Sequence, residues 1–343
     1  MTRLRIPAAV VACAAALAAG ACTPAGGATH TATLDQVRAR GFLRCGVSTG
    51  VAGFSALDGA GVWHGLDVDV CRAIAAAVFG DSAKVRYTPL SAQRRFAALQ
   101  SGEIDVLSRN TTISFQRDVN LGFEFPAIDW YDGTAFIVPR ASGISAPRQL
   151  DGKTICFSPG TSTEADVADY FRTNGLRFTP VVIERAEEAT AAYYAGRCDA
   201  FATDSSALAG VRMHAPHPEE QAVLPQTISK APLGPAVMSA DTRWVEIVRW
   251  SVYAMIDAED LGLSSATIDA ALTSKDPAIR RFVGESDDFG PMLGLDHRWA
   301  FTIVKQVGNS RESFERNLAP LGVERGMNRL WKDGGIVYVP DIR

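Results

Sequence analysis

Long apolar runs are scarce in this chain. The one candidate, Ala8 to Ala19, is shorter than the roughly 20 apolar residues a stable membrane-spanning helix needs. No later stretch comes closer. A basic excess is also missing. Lys and Arg number 34 against 38 Asp and Glu, a net charge of −4, which excludes the electrostatic footprint of a nucleic-acid binder. Histidine is sparse, at five residues. Only His214 and His217 fall close together, in a run HAPH whose flanking prolines indicate a loop. No third ligand is evident nearby, so no metal is expected there. C-x-x-C does not occur, which disfavours a redox motif or zinc knuckle. Low-complexity sequence is confined to the stretch after Cys22.

What remains is the composition of a folded, exported protein. Apolar residues make up 47% of 343 positions, and that length suits two lobes of ordinary size. Arg3 and Arg5 precede the short apolar run, and Ala19-Gly20-Ala21-Cys22 closes it, the pattern of a signal peptide over residues 1–21. Two processing routes are open. Cleavage at the A-x-A site releases a soluble protein, whereas a lipid-modified Cys22 anchors it to a membrane through the tether 22–32. The tether favours the anchor, and Ala19, standing where a lipobox usually has Leu, weakens it. Four further cysteines, Cys45, Cys71, Cys156 and Cys198, suit two disulfides in an oxidising compartment. Three connectivities are available. Cys45–Cys71 with Cys156–Cys198 is preferred because each bridge then stays within one half of the chain.

The periodicities alternate. Strands at 43–47, 85–87 and 104–107 are separated by a helix whose Leu66, Val70, Ile74 and Val78 repeat at four, and by a shorter one carrying Phe96 and Leu99. Thr134 to Val138 is a further strand. The rhythm restarts with strands at 154–157, 181–183 and 199–203 and intervening helices, so both halves are α/β with mostly parallel sheets. Thr242 to Ala258 is the strongest amphipathic helix, and residues 264–343 read as short helices broken by Pro277, Gly284, Gly294 and Gly322.

The stretch Asp105–Arg117, DVLSRNTTISFQR, runs from a strand into hydroxyl and amide groups, then into a short helix capped by Ser114 with Arg117 in its first turn. A guanidinium beside a helix N-terminus is an anion receptor, although a lone Arg more often forms a surface ion pair. The second half repeats the form. Gly160 to Glu164 follows a strand and opens a helix with a capping box, Thr161 with Glu164. Asp204 ends another strand and offers a carboxylate, with capping of the Ser205 helix as its competing role. Arg117 and Thr112, helped by the backbone at Ser162, suit an α-carboxylate, and Asp204 suits an α-ammonium. Gly46-Val47-Ser48-Thr49-Gly50 matches G-x-S-x-G, but Gly53, Gly59 and Gly61 keep the next stretch irregular where a nucleophile elbow needs a helix. It is read instead as a ligand-facing loop, with Phe54 offering an apolar surface.

The runs GFLRCGVSTGVAGFSALDGAGVWHGLDVDVCRAIAAAVFGD, LSAQRRFAALQSGEIDVLSRNTT, AGRCDAFATD, ISKAPLGPAV and MNRLWKDGGIVYVP occur in order over residues 33–343. Together they resemble the general L-amino acid substrate-binding proteins of ABC transporters. The resemblance implies a type II periplasmic-binding-protein fold with two lobes, a two-strand hinge and a helical C-terminal extension on the first lobe. The lobes are expected at 33–138 with 236–343, and at 139–235. Carried over residue by residue, Arg117 is the carboxylate clamp and Thr112 the hydroxyl ahead of it. Asn110 meets the amine through its backbone, Ser162 and Thr163 form the second carboxylate-binding turn, and Asp204 binds the ammonium. Two positions depart from the wider superfamily: Val51 stands where a stacking aromatic is frequent, and Arg109 where a small residue is usual. Arg109, with Arg94, is expected to favour acidic or amide side chains. The implied protein is a monomer without cofactor or catalysis that delivers an amino acid to membrane permease subunits. A cyclohexadienyl dehydratase-like lyase on the same fold is the alternative, and it would need a general acid or base in the cleft.

Overall fold

A computed structural model describes Thr2 and residues 32–343. The expected signal peptide, the tether and Cys22 lie outside the described residues.

The first sheet is parallel, with Leu43–Val47 between Val85–Pro89 and Val106–Leu107. The helix Leu66–Phe79 packs on it. Its apolar positions leave no polar face, and it is buried along most of its length. Asp67 and Asp69 sit in its first turn, where the helix dipole favours negative charge. Gly80 closes it in the left-handed conformation with a bond back to the Ala76 carbonyl. The helix Thr242–Asp260 buries the predicted stripe of Trp244, Ile247, Val248, Val252, Met255 and Ile256. These residues share one core with Cys45, Ile74, Ile303 and Val304. Trp244 also ties the helix to the sheet by donating its indole N–H to the Asp105 carbonyl at 2.9 Å.

The second sheet has five strands in the order Phe178–Val182, Lys153–Phe157, Ala200–Asp204, Thr134–Pro139 and Gln221–Val223. The first three are parallel, and Thr134–Pro139 runs antiparallel to both its neighbours. This corrects the placement of residues 134–138 in the first lobe. Sequence order put the strand there, but its hydrogen bonds go to residues 201–204 and 221–223. Trp130–Asp132 pairs antiparallel with Ala231–Leu233, forming the two-strand connection between the halves. These are the two lobes of the expected fold.

The C-terminal region packs as short helices on the first lobe, as expected. A break between helices does fall before Pro277, which then opens the next one. It stands at the first position of Pro277–Phe282, where its missing N–H costs nothing, behind an Asp276 cap. The anchor of this region is Asp69, whose Oδ2 accepts hydrogen bonds from Ser313, Arg316 and Asn317, each at 2.7 Å. Further on, Asn328 exchanges two hydrogen bonds with the backbone of Tyr131 in the hinge strand, at 2.7 and 2.9 Å. The disulfides are Cys45–Cys71 and Cys156–Cys198. Among the described residues no helix is long and apolar enough to cross a membrane.

Candidate functional site

The polar stretch after Val106–Leu107 turns sharply. Asn110 has φ +33°, a strained left-handed value for a residue other than glycine. What holds it is Asp67: the Asn110 N–H lies 3.0 Å from both carboxylate oxygens. Asp67 is fully buried, and burial pushes its carboxyl up to about 6 despite the opposing Asn110 bond and the nearby Arg109 charge. The first turn of the Leu66 helix thus fixes the loop that carries the site. Sequence reasoning missed Asp67 because it weighed that helix only by its apolar period. Two acids in the first turn of an otherwise apolar helix were the available signal.

From this loop the side chains face the second lobe. Arg109, Asn110 and Thr112 line a cavity with Ser162, Thr163 and Asp204. The Asn110 amide donates to Asp204 Oδ2 at 2.9 Å, and Thr112 Oγ1 lies 2.8 Å from Ser162 Oγ. The lobes also meet through Thr49 donating to Glu187 at 2.9 Å and Ser91 donating to Glu184 at 2.8 Å. Ser162 is held at its helix start by Thr161, whose Oγ1 accepts from Glu164 N–H at 3.2 Å. Glu164 reaches back as expected, but to the Gly160 N–H, one residue before the cap.

Asp204 is the acid of the cavity. Its competing role was to cap the helix Ser205–Met213, yet among the described residues its side chain makes no such bond. Asp132, from the hinge strand, does the capping, accepting from both the backbone N–H and the hydroxyl of Ser206. Asp204 is left facing the cavity. Burial and the neighbouring Asp132 push its carboxyl up to about 7, while Asn110, Arg95 and Arg109 oppose the rise.

Three guanidinium groups surround this acid. Arg109 donates Nε to the Leu90 carbonyl at 3.0 Å, and burial lowers it to about 10. Arg117 donates Nη1 to the Thr112 carbonyl at 2.7 Å, beside the wall that Thr112 forms. Burial lowers it too, against the attraction of Asp204 and Asp166. The third is Arg95, in place of the expected Arg94. Arg94 is exposed, whereas Arg95 is buried, lines the cavity and reaches the Gly160 carbonyl at 3.3 Å. Its Nε finds no partner among the described residues. Helix phase decides between the two, because Arg95, Ala98 and Leu99 form the buried face of Arg95–Gln100. Both Arg95 and Arg117 lie over the Phe96 ring, at 4.7 and 5.3 Å from its centroid.

Phe54 is a second correction. It is fully buried with Leu66, Trp130, Leu233 and Phe314, so it supports the hinge and presents no surface to a ligand. Ser48 of the G-x-S-x-G run is structural as well. It is fully buried, and its hydroxyl donates to the Ser55 carbonyl at 3.1 Å. Near HAPH, Glu219 and Glu220 bring ligand atoms within 4.8 Å of His217, but all three residues are exposed, and exposed acidic groups are common without an ion.

Comparison with known proteins gives the family. A general L-amino acid-binding periplasmic protein, AapJ, of Rhizobium johnstonii is 49% identical over 96% of this chain and 97% of its own. A glutamate/glutamine/aspartate/asparagine-binding protein, BztA, of Rhodobacter capsulatus is 44% identical over 92% of this chain and 95% of its own. Among solved structures, a periplasmic binding protein from Brucella ovis with glutathione bound superposes with a TM-score of 0.89 at 47% identity, covering 92% of this chain and 100% of its own. These relatives are binding proteins, which favours binding over the lyase alternative. Residues 43–286 match the bacterial extracellular solute-binding proteins, family 3, and the chain belongs to that family.

Proposed function

We propose that this protein is the extracytoplasmic binding component of an amino-acid ABC transporter, capturing an L-amino acid between its lobes and presenting it to membrane permease subunits. The observation that carries this reading is Asp204, relieved of capping by Asp132 and facing a cavity lined by Arg95 and Arg109, with Arg117 bonded to the backbone of its Thr112 wall. An acid opposite a cationic wall is complementary to a zwitterion. Asp204 and the buried, unpartnered Oδ1 of Asn110 accept the α-ammonium. Arg117, the Thr112 hydroxyl and the Ser162–Thr163 turn receive the α-carboxylate. Contacts from both lobes then favour the closed state over the open one.

The cation excess sets the preferred side chain. One carboxylate ligand group cannot engage Arg95, Arg109 and Arg117 together, so glutamate, aspartate and their amides fit best. The names of the AapJ and BztA relatives support the class, and that of BztA supports this preference. We take the lobes as 33–132 with 231–343, and 133–230, placing the crossings at the paired hinge strands. Cleavage before Cys22 with lipidation, or soluble release, delivers the protein to the same compartment, and mass spectrometry of the mature N-terminus separates them. Calorimetric titration with the twenty amino acids tests the function. Micromolar or tighter binding of glutamate or glutamine is expected; turnover of a prephenate-type acid without amino-acid binding would overturn it.

A further inference from the structure

A second cavity of about 220 Å³ lies against the proposed amino-acid cavity, between the helices Ala186–Tyr194 and Ser205–Met213. Val51, Ala186, Phe201 and Thr203 border both spaces, so the two abut. The far walls are Ala52, Thr190, Tyr194, Gly210, Val211 and His214. Most of these offer carbon to the interior. The Tyr194 hydroxyl is already committed to the Val211 carbonyl, and His214 Nδ1 lies 2.8 Å from the Gly210 carbonyl. Glu187 at the edge accepts from Thr49 and Arg185. The first lobe roofs the space closely. A Cβ on Gly210 would come within 2.8 Å of the Ala52 Cβ, so the first lobe lies directly against this wall. The residue at the boundary, Val51, is short, and a large aromatic side chain there would occupy the junction.

We infer that this chamber is a side-chain annex, receiving L-amino acids with long, uncharged side chains while the α-ammonium and α-carboxylate stay in the polar cavity. The inference rests on the amino-acid reading above and extends it. Short polar or acidic side chains end among the arginines, whereas an elongated apolar chain passes Val51 into the annex. One clamp then serves two side-chain classes without any residue having to suit both. A buried methylene is worth about a fourfold gain in affinity, and the annex holds several.

The test is calorimetric titration of the full chain with straight-chain L-amino acids from alanine through norvaline and norleucine to 2-aminooctanoate. In the wild type, affinity is expected to rise about fourfold per methylene over the longer members. Thr190→Trp, which fills the annex from one helix, should remove this rise and leave alanine affinity within about twofold. Val211→Phe, from the other helix, should act alike and guards against misfolding of the first variant. Alanine binding with rejection of the long members, or a rise untouched by both substitutions, overturns the annex alone. Failure of the wild type to bind glutamate and alanine as well overturns the amino-acid reading and the annex together.

Discussion

The side-chain amide of Asn110 donates to Asp204 Oδ2 at 2.9 Å, joining the strained loop of one lobe to the strand end of the other. Both residues are prepared from behind: Asp67 fixes the Asn110 backbone, and Asp132 takes the capping bond that Asp204 would otherwise make. The contact therefore depends on four side chains, of which two do not line the cavity.

Asp204→Asn should cost amino-acid affinity about thirtyfold or more, because a buried charged partner is lost while the ligand ammonium still has to leave water. Calorimetry checks the loss, and an unchanged circular dichroism spectrum shows that the fold remains. Affinity retained within threefold would remove Asp204 from the ammonium site.

The same residue gives binding a pH dependence. Its carboxyl titrates near 7 in the cavity, and only the ionised form attracts an ammonium group. Affinity should level off above pH 7 for as long as the ligand keeps its ammonium proton, and fall about tenfold per pH unit below 7, until the pKa of the occupied site is reached. Unliganded stability runs the opposite way. A carboxyl raised above its unfolded value favours the folded state at low pH, and this contribution is lost as pH rises to 7. Asp204→Asn should therefore raise the melting temperature of the unliganded protein by roughly 3–6 °C at pH 8, and by less at pH 4. Differential scanning fluorimetry across pH reads both limbs.

Arg95 and Arg94 are adjacent and should behave differently. Loss of a charge-assisted bond from the buried Arg95 should weaken glutamate binding about tenfold to a hundredfold relative to alanine. Arg94→Gln, on the exposed side of the chain, should leave both ligands within about twofold. Competition titrations with the Arg95→Gln and Arg94→Gln variants decide it.

Replacing Cys156 and Cys198 together by serine should destabilise the protein by about 3–4 kcal/mol, chiefly by freeing the unfolded chain. The melting temperature should drop on the order of 10 °C, with glutamate affinity at 25 °C little changed. Scanning calorimetry and titration of the double variant test the two halves of this expectation.

The fold was legible where a local pattern carried it. The four-residue repeat of Leu66 to Val78, the stripe from Trp244 to Ile256 and the polar turn at Ser108 each lie within one stretch of sequence. Tertiary choices were harder to read. Thr134–Pro139 looks the same whether it closes the first sheet or enters the second, because only its distant hydrogen-bond partners distinguish the two. Phe54 sits in a Gly-rich loop, a position that suggests exposure, and its burial depends on Trp130 and Phe314 far along the chain. The cavity-lining Arg of the Arg94–Arg95 pair could have been found from helix phase. The division of labour between Asp132 and Asp204 could not, since Asp132 reaches the helix across 74 residues of sequence.

The two disulfides also bear on how the molecule works. Cys45–Cys71 ties a strand to the helix lying on it, and Cys156–Cys198 joins neighbouring segments of the other sheet. Each covalent link stays within one lobe, so oxidation hardens each jaw without locking the joint. Oxidative maturation can then finish before any cargo arrives, and the redox state of the compartment leaves capture and release to the non-covalent contacts between the jaws.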